Sequence, residues 1–342
     1  MTQDQGILIY DDSWDYLIIL DACRFDIFQK FSNKFFAGEL LKAKSRGSMT
    51  LEWAVKTFTK KLKNVVYLSA NPYINSIAPV AFFGGIAKWT PWLFFDKIID
   101  LWAKLWNNYL NTVLPWRINE YTLHFAEHNK SKRLIVHYIQ PHAPYLHPKL
   151  FGISFKKPSP KKRMFLHTTQ MYRKDRINKH AVIKEFLNKF LGYLNGPPVF
   201  NVLYHLRFGN KLFCILRNIL NLPYYGPIDY VVRKFGIKHL CKFYNLNVLI
   251  VLESVCDLVE NIGDGKEIII TSDHGEFLGE KLSIGHPWGI SDPILRNVPW
   301  FRVKKLKKRR KTMLPWIKKE IIKYTLRIKI KRRIKRQGKA NR

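Results

Sequence analysis

Acids and imidazoles recur in this chain just past short apolar runs. Tyr16–Leu20 (YLIIL) is followed by Asp21-Ala22-Cys23-Arg24. Glu267–Thr271 (EIIIT) is followed by Ser272-Asp273-His274-Gly275-Glu276, and Arg133–Tyr138 (RLIVHY) by Ile139-Gln140-Pro141-His142-Ala143-Pro144-Tyr145. Two carboxylates and an imidazole make a mixed oxygen–nitrogen donor set. Such a set suits Zn²⁺ or Mn²⁺ and is less suited to Ca²⁺. A cation held there could polarise a phosphoryl oxygen and lower the pKa of a hydroxyl. Taken singly, Asp21 reads best as a helix N-cap, Asp273 as a turn residue and His142 as an ordinary loop histidine. Taken together they carry more weight, because all three follow predicted strands and the adjacent Asp273 and His274 can reach one ion.

Such a site needs a nucleophile. Ser45-Arg46-Gly47-Ser48-Met49-Thr50-Leu51-Glu52-Trp53 is a small-residue loop opening a helix. A hydroxyl at a helix N-terminus faces backbone N–H groups that help to bind an anionic phosphate. A plain cap by Ser48 or Thr50 is the better reading of the loop alone, and an equal one beside a metal site.

The elements that must position these residues follow an α/β rhythm. Tyr16–Leu20, Asn64–Ser69, Arg133–Tyr138, Glu267–Thr271 and Val298–Val303 read as strands. Helices are expected over Leu51–Leu62, around Ile118–His128 and over Leu246–Ile262. Continuous apolar strands separated by helices predict a mostly parallel central sheet with helices on both faces. In such sheets ligands bind beyond the carboxyl ends of the strands. Residues 74–115 and 149–226 are less regular, rich in aromatic and basic residues, and read as lid insertions. The expected division is a catalytic domain over 1–304 and a basic amphipathic tail over 305–342.

The composition bounds the partners. With 342 residues and 47% hydrophobic content, the chain is neither disordered nor fibrous. Its 59 Lys and Arg exceed its 25 Asp and Glu by 34, which favours an anionic partner. From Phe301 onward there are 20 Lys and Arg against one acid, Glu320, so the tail holds +19 of that excess. Ile, Leu and Trp recur among these lysines at helical spacing, as in an interfacial helix. Cys23, Cys214, Cys241 and Cys256 form no CxxC pair and read as structural thiols in a reducing compartment. The N-terminus lacks the pattern of a signal peptide, and no run of about 20 apolar residues occurs. The expectation is a cytoplasmic protein, soluble or peripheral at the membrane.

The motifs resemble the alkaline phosphatase superfamily, in particular its sulfatase-like branch, which includes phosphoethanolamine transferases and lipoteichoic acid synthases. Ser272-Asp273-His274-Gly275-Glu276-Phe277-Leu278-Gly279-Glu280, with His286 thirteen residues after Asp273, is similar to the transferases' SDHGESLGE segment and its later histidine. Asp21-Ala22-Cys23-Arg24 resembles their Glu-Thr-x-Arg segment, with Asp in place of Glu as in sulfatases. His142-Ala143-Pro144-Tyr145 resembles a His-Gly-Pro segment, and Arg296-Asn297-Val298-Pro299-Trp300 a closing R-x-P strand. The resemblance runs from about residue 16 to 304, leaving the lids unmatched.

That resemblance implies an alkaline phosphatase-like fold and one divalent ion, Zn or Mn before Mg or Ca. Asp21, Asp273 and His274 would be its ligands. Thr50 would be the nucleophile and also touch the metal, matching a Gly-Thr-x-Thr loop at Gly47-Ser48-Met49-Thr50, with Ser48 as the alternative. His142 and His286 would hold the transferring group or protonate the leaving group, and Arg24 joins the catalytic set. No cysteine lies between Cys23 and Cys214, so a formylglycine sulfatase is not expected. The function expected is a metal-dependent sulfatase-like hydrolase or transferase of phosphoryl-type esters, with a sulfuric ester hydrolase as the other enzyme class. Its substrate would be a phosphorylated or sulfated small molecule, a glycan or a lipid-linked compound. The tail would meet an anionic membrane surface, ahead of nucleic acid. A catalytically silent surface-binding protein of the same fold is the other alternative.

Overall fold

The structure, a computed structural model, describes residues 2–82, 87–153, 179–194, 197–307 and 312–340. Parts of the expected lids (83–86, 154–178 and 195–196) and of the tail (308–311 and 341–342) lie outside the described residues.

Among the described residues, eight strands form one sheet: β1 (Gln3–Asp4), β2 (Tyr16–Leu20), β3 (Phe36–Lys44), β4 (Val65–Ser69), β5 (Lys97–Asp100), β6 (Arg133–Tyr138), β7 (Ile268–Thr271) and β8 (Asn297–Leu306). Their spatial order is β1-β3-β8-β7-β2-β6-β4-β5. All neighbours run parallel except β8, which is antiparallel to both β7 and β3. The sheet is therefore mixed α/β and mostly parallel.

The apolar runs are explained by burial on both faces. Along β2, Tyr16, Ile18 and Leu20 enter one core, while Leu17 and Ile19 enter the core on the opposite face. Alternate side chains point to opposite sides, so a strand covered twice is apolar at most of its positions. The first core is closed by α2 (Phe25–Ser32), α4 (Pro115–Glu127) and the long α9 (Ile237–Ile262). The second is closed by α1 (Gln5–Asp11) and α3 (Thr50–Thr57). Helix α9 begins nine residues before the expected Leu246, after Gly236, whose φ of 84° ends the preceding helix.

Three sheet strands were not expected. Phe36–Lys44 (FAGELLKAK) has helix-like composition and several exposed positions, because it lies near the sheet edge and pairs with β8. Lys97–Asp100 falls inside the first expected lid, 74–115, yet completes the far edge of the sheet beside β4. Gln3–Asp4 adds two residues beside β3. The second lid region contributes α5 (Lys179–Leu194), α6 (Pro197–His205) and α7 (Lys211–Ile219), followed by α8 (Pro227–Phe235).

The tail forms α10 (Met313–Ala340). Leu314, Ile317 and Ile321 pack against Leu110, Leu114, Leu146 and Ile250, so its first turns dock on the body. The apolar residues of the tail helix divide accordingly. Ile321 is buried, Tyr324 packs its ring on Phe151, and Trp316 and Ile322 face solvent.

Candidate metal and nucleophile site

The loop after β2 is held from below by the loop after β7. Ala22 sits at φ 60°, a left-handed conformation costly for a residue with a Cβ, and its N–H donates to Asp273 Oδ1 at 3.0 Å. Cys23 N–H donates to Ser272 Oγ at 2.8 Å. Tyr244 of α9 donates its hydroxyl to Ala22 O at 2.7 Å and accepts from Arg24 N–H at 3.0 Å. These bonds place Asp21 and Asp273 side by side, both buried.

Thr50, the first residue of α3, completes the cluster. Its hydroxyl donates to Asp273 Oδ2 at 2.7 Å and lies 3.3 Å from His274 Nε2. His274 Nδ1 lies 2.8 Å from Gly275 O, and a carbonyl only accepts, so Nδ1 carries the proton and Nε2 presents a lone pair. That lone pair is 3.3 Å from Asp273 Oδ2 and 3.6 Å from Asp21 Oδ1. Asn71, two residues past β4, donates to Asp21 Oδ2 at 2.7 Å and to Thr50 Oγ1 at 3.2 Å.

A second group of donors adjoins the first. His142, Glu276 and His286 bring ligand-type atoms within 4.8 Å of one another. The His286 ring lies 4.4 Å from the His274 ring and 4.9 Å from that of His142. Glu276 Oε1 is 3.0 Å from His286 Nδ1. Burial pushes the Glu276 carboxyl up to about 8, so it is largely protonated at neutral pH. Burial also pulls His286 down to about 4 and, with the His286 ring beside it, holds His274 well below the usual histidine range. His137, inside β6, is likewise pulled to about 4 by burial and accompanies Asp21 and Asp273 in a buried cluster. Its Nδ1 meets Tyr67 Oη at 2.9 Å.

The structure thus brings Asp21, Thr50, Asp273 and His274 to one point, with His142 and His286 alongside. It does not bring Ser48 there. The Ser48 hydroxyl shares its single proton between Glu52 Oε2 at 2.7 Å and Pro287 O at 2.6 Å, tying the start of α3 to the loop after His286. Arg24 also turns away, toward Asp26 at 2.8 Å and Glu280 at 2.5 Å, so its charge is already compensated. Cys23 is fully buried in the core, and burial drives its thiol well above the usual range. Asn71, His137 and Glu276 escaped the sequence reading. Asn71 obeys the strand-end rule that found Asp21, applied to β4. His137 lies within a strand, where an imidazole looks like core.

The donor set fits a divalent cation. Asp21 Oδ1 is buried without a hydrogen-bond partner. Burial, then the neighbouring Asp273, push the Asp21 carboxyl well up, which registers crowded negative charge. Among the described residues no Lys or Arg pairs with Asp21 or Asp273, while an imidazole lone pair points at both. Oxygen and nitrogen donors crowded without a counter-charge are what Zn²⁺ or Mn²⁺ would satisfy.

No family model matches the chain, and no curated protein does. Among solved structures it is similar to the integral membrane protein lipooligosaccharide phosphoethanolamine transferase A of Neisseria meningitidis, at 13% identity and TM-score 0.41, covering 90% of this chain and 50% of that one. Its similar structures include phosphoethanolamine transferases and sulfatases. The C-terminal periplasmic domain of phosphoethanolamine transferase EptC from Campylobacter jejuni matches at 13% identity and TM-score 0.36, covering 88% of this chain and 82% of that one. A 2-O GAG sulfatase matches at 8% identity and TM-score 0.39, covering 85% and 64%. The chain spans half the length of the first of these proteins. All three overlaps are loose, with TM-scores between 0.36 and 0.41.

Proposed function

We propose that the protein is a metal-dependent hydrolase or transferase of phosphoryl-type esters with Thr50 as its nucleophile. The observation that carries this is the Thr50 hydroxyl, at the first turn of α3, hydrogen-bonded to Asp273 Oδ2 beside the lone pair of His274. A divalent ion held by Asp21, Asp273, His274 and Thr50 would supply positive charge that acidifies the hydroxyl and polarises a phosphoryl oxygen. Thr50 Oγ1 bonds to phosphorus as the ester P–O bond breaks, and its proton passes to the carboxylate that already accepts it. His286, beside His142, gives its Nε2 proton to the departing oxygen as the Glu276 carboxyl, 3.0 Å from its Nδ1, replaces that proton on the ring. Water or an acceptor hydroxyl then displaces Thr50 from phosphorus, closing the cycle. Asn71 keeps Asp21 and Thr50 oriented throughout. The substrate class that suits a +34 chain is an anionic ester, and a lipid-linked one would also suit a basic tail lying at an anionic membrane surface.

The test is turnover of a chromogenic phosphodiester by zinc- or manganese-loaded protein. Thr50→Ala abolishes turnover while Asp21, Asp273 and His274 still retain most of the metal, whereas Ser48→Ala keeps turnover. Full activity in Thr50→Ala overturns the assignment, and loss in Ser48→Ala with normal folding moves the nucleophile to Ser48.

A further inference from the structure

Two helices of the second insertion are apolar where solvent-facing sides are normally polar. On α5, Ile183, Phe186, Phe190 and Tyr193 succeed one another at helical spacing and are 48–71% exposed, with Phe186 and Phe190 stacked at 6.4 Å. On α7, Leu212, Ile215 and Ile219 repeat the pattern. Each helix has another apolar stripe turned inward: Leu187 and Leu191 pack with Phe213 and Leu216 in a small core. The inner stripes account for the fold of this segment, and the outer ones do not. Contiguous exposed apolar surface of this kind marks an interaction site.

Charge decides what covers it. Residues 179–222 carry six Lys and Arg, of which Arg217 is buried, and a single acid, Glu185, which pairs with Lys189 at 2.9 Å. A second copy of this chain would set +34 against +34, with the same basic helices face to face. An anionic bilayer instead offers acyl chains to the Phe and Ile stripe and negative head groups to the cations, which is the pattern of a helix lying in the interface. No described helix is long and apolar enough to cross a membrane, so these helices lie on it. We infer that α5 and α7, with the intervening α6, form a docking face for an anionic lipid bilayer.

The face is coupled to the site. Phe200 of α6 packs on Phe277 and Leu295. Asn210, preceding α7, donates to Ile284 O at 2.7 Å and accepts from Ile284 N–H at 2.8 Å, two residues before His286. Docking therefore fixes the His286 loop relative to the lipid surface. The inference stands whether or not Thr50 is a nucleophile.

The experiment is co-sedimentation of the full chain with phosphatidylcholine vesicles, with and without phosphatidylglycerol. The wild type partitions onto the anionic vesicles. Phe186→Ser with Phe190→Ser lowers that partitioning at least tenfold, since burial of one Phe side chain is worth about a factor of ten. Ile215→Ser with Ile219→Ser does likewise, and both pairs keep the wild-type melting temperature because the replaced side chains are exposed. Retained binding in both pairs, with loss only on removal of residues 313–342, overturns the inference in favour of the tail. Absence of vesicle binding also overturns it, as does a wild-type dimer in sedimentation velocity that the same substitutions dissociate.

Discussion

Gly275 lies between the adjacent Asp273-His274 and Glu276, with its backbone pressed against Ile294 and Leu295 of the short Pro293–Arg296 helix that precedes β8. A Cβ added there would stand 1.9 Å from Ile294 O, where ordinary contact begins at 3.4 Å, so two backbone segments must part by about 1.5 Å. The hydrogen bond from Gly275 N–H to Leu295 O, 2.8 Å long, would be lost in the process. Overpacking of this kind costs about 1–3 kcal/mol and the hydrogen bond about 1 kcal/mol more. In a chain of this size that lowers the melting temperature by about 5 °C. The larger effect falls on the site, because ligand distances tolerate only about 0.2 Å. Gly275→Ala is therefore expected to lower zinc affinity at least tenfold, measured by competition with a chromogenic chelator alongside a thermal melt. Gly265→Ala is the control. Gly265 has a positive φ but nothing within 4 Å, so the change costs about 1 kcal/mol through the backbone and spares the metal. A Gly275→Ala protein with wild-type zinc affinity would refute the claim that this close approach sets the ligand geometry.

Asn71→Leu removes the donor shared by Asp21 and Thr50 and is expected to weaken zinc binding about 10- to 100-fold by the same competition assay, and unchanged affinity would remove Asn71 from the site. Glu276→Gln reports on pH: the Glu276 pKa is raised from its ordinary value to about 8, so its contribution to stability is fully present below about 4.5 and is lost as pH rises through 8. Melting profiles of metal-free protein between pH 4.5 and 8 should therefore decline more steeply for the wild type than for Glu276→Gln, and parallel profiles would contradict this. Ser48→Ala strips a buried donor from Glu52 and Pro287 O and is expected to destabilise by about 1–2 kcal/mol in a denaturant titration, while an unshifted midpoint would contradict the tie it makes.

What could be read in the sequence was governed by burial. Strands covered on both faces, such as β2, β6 and β7, write themselves as largely apolar runs, and their ends then locate Asp21, His142 and Asp273-His274. Strand β3 was illegible because its exposed positions hold Glu and Lys and its Ala and Leu suit a helix; only pairing with β8, more than 250 residues later, makes it a strand. The choice between Thr50 and Ser48 was equally closed to pattern reading. It turns on which hydroxyl faces Asp273 and which faces Glu52, two residues apart in a loop whose shape depends on the distant Pro287 carbonyl. His137 was hidden for the opposite reason, since it follows the apolar Leu134-Ile135-Val136 and nothing local distinguishes a site imidazole from a packed one.

The antiparallel β8 has a consequence for how the protein comes into being. Residues 3–4 and 36–44 join the sheet only through β8, so during synthesis they must wait for residues 297–306 to leave the ribosome. Strand β2 lacks one lateral partner until residues 268–271 have emerged. The growing chain therefore carries β3 unpaired and β2 paired on one side only through most of translation, a period in which nascent chains are prone to aggregate. A nascent chain stalled before residue 297 should recruit holding chaperones through residues 16–44, and completion of β8 should release them.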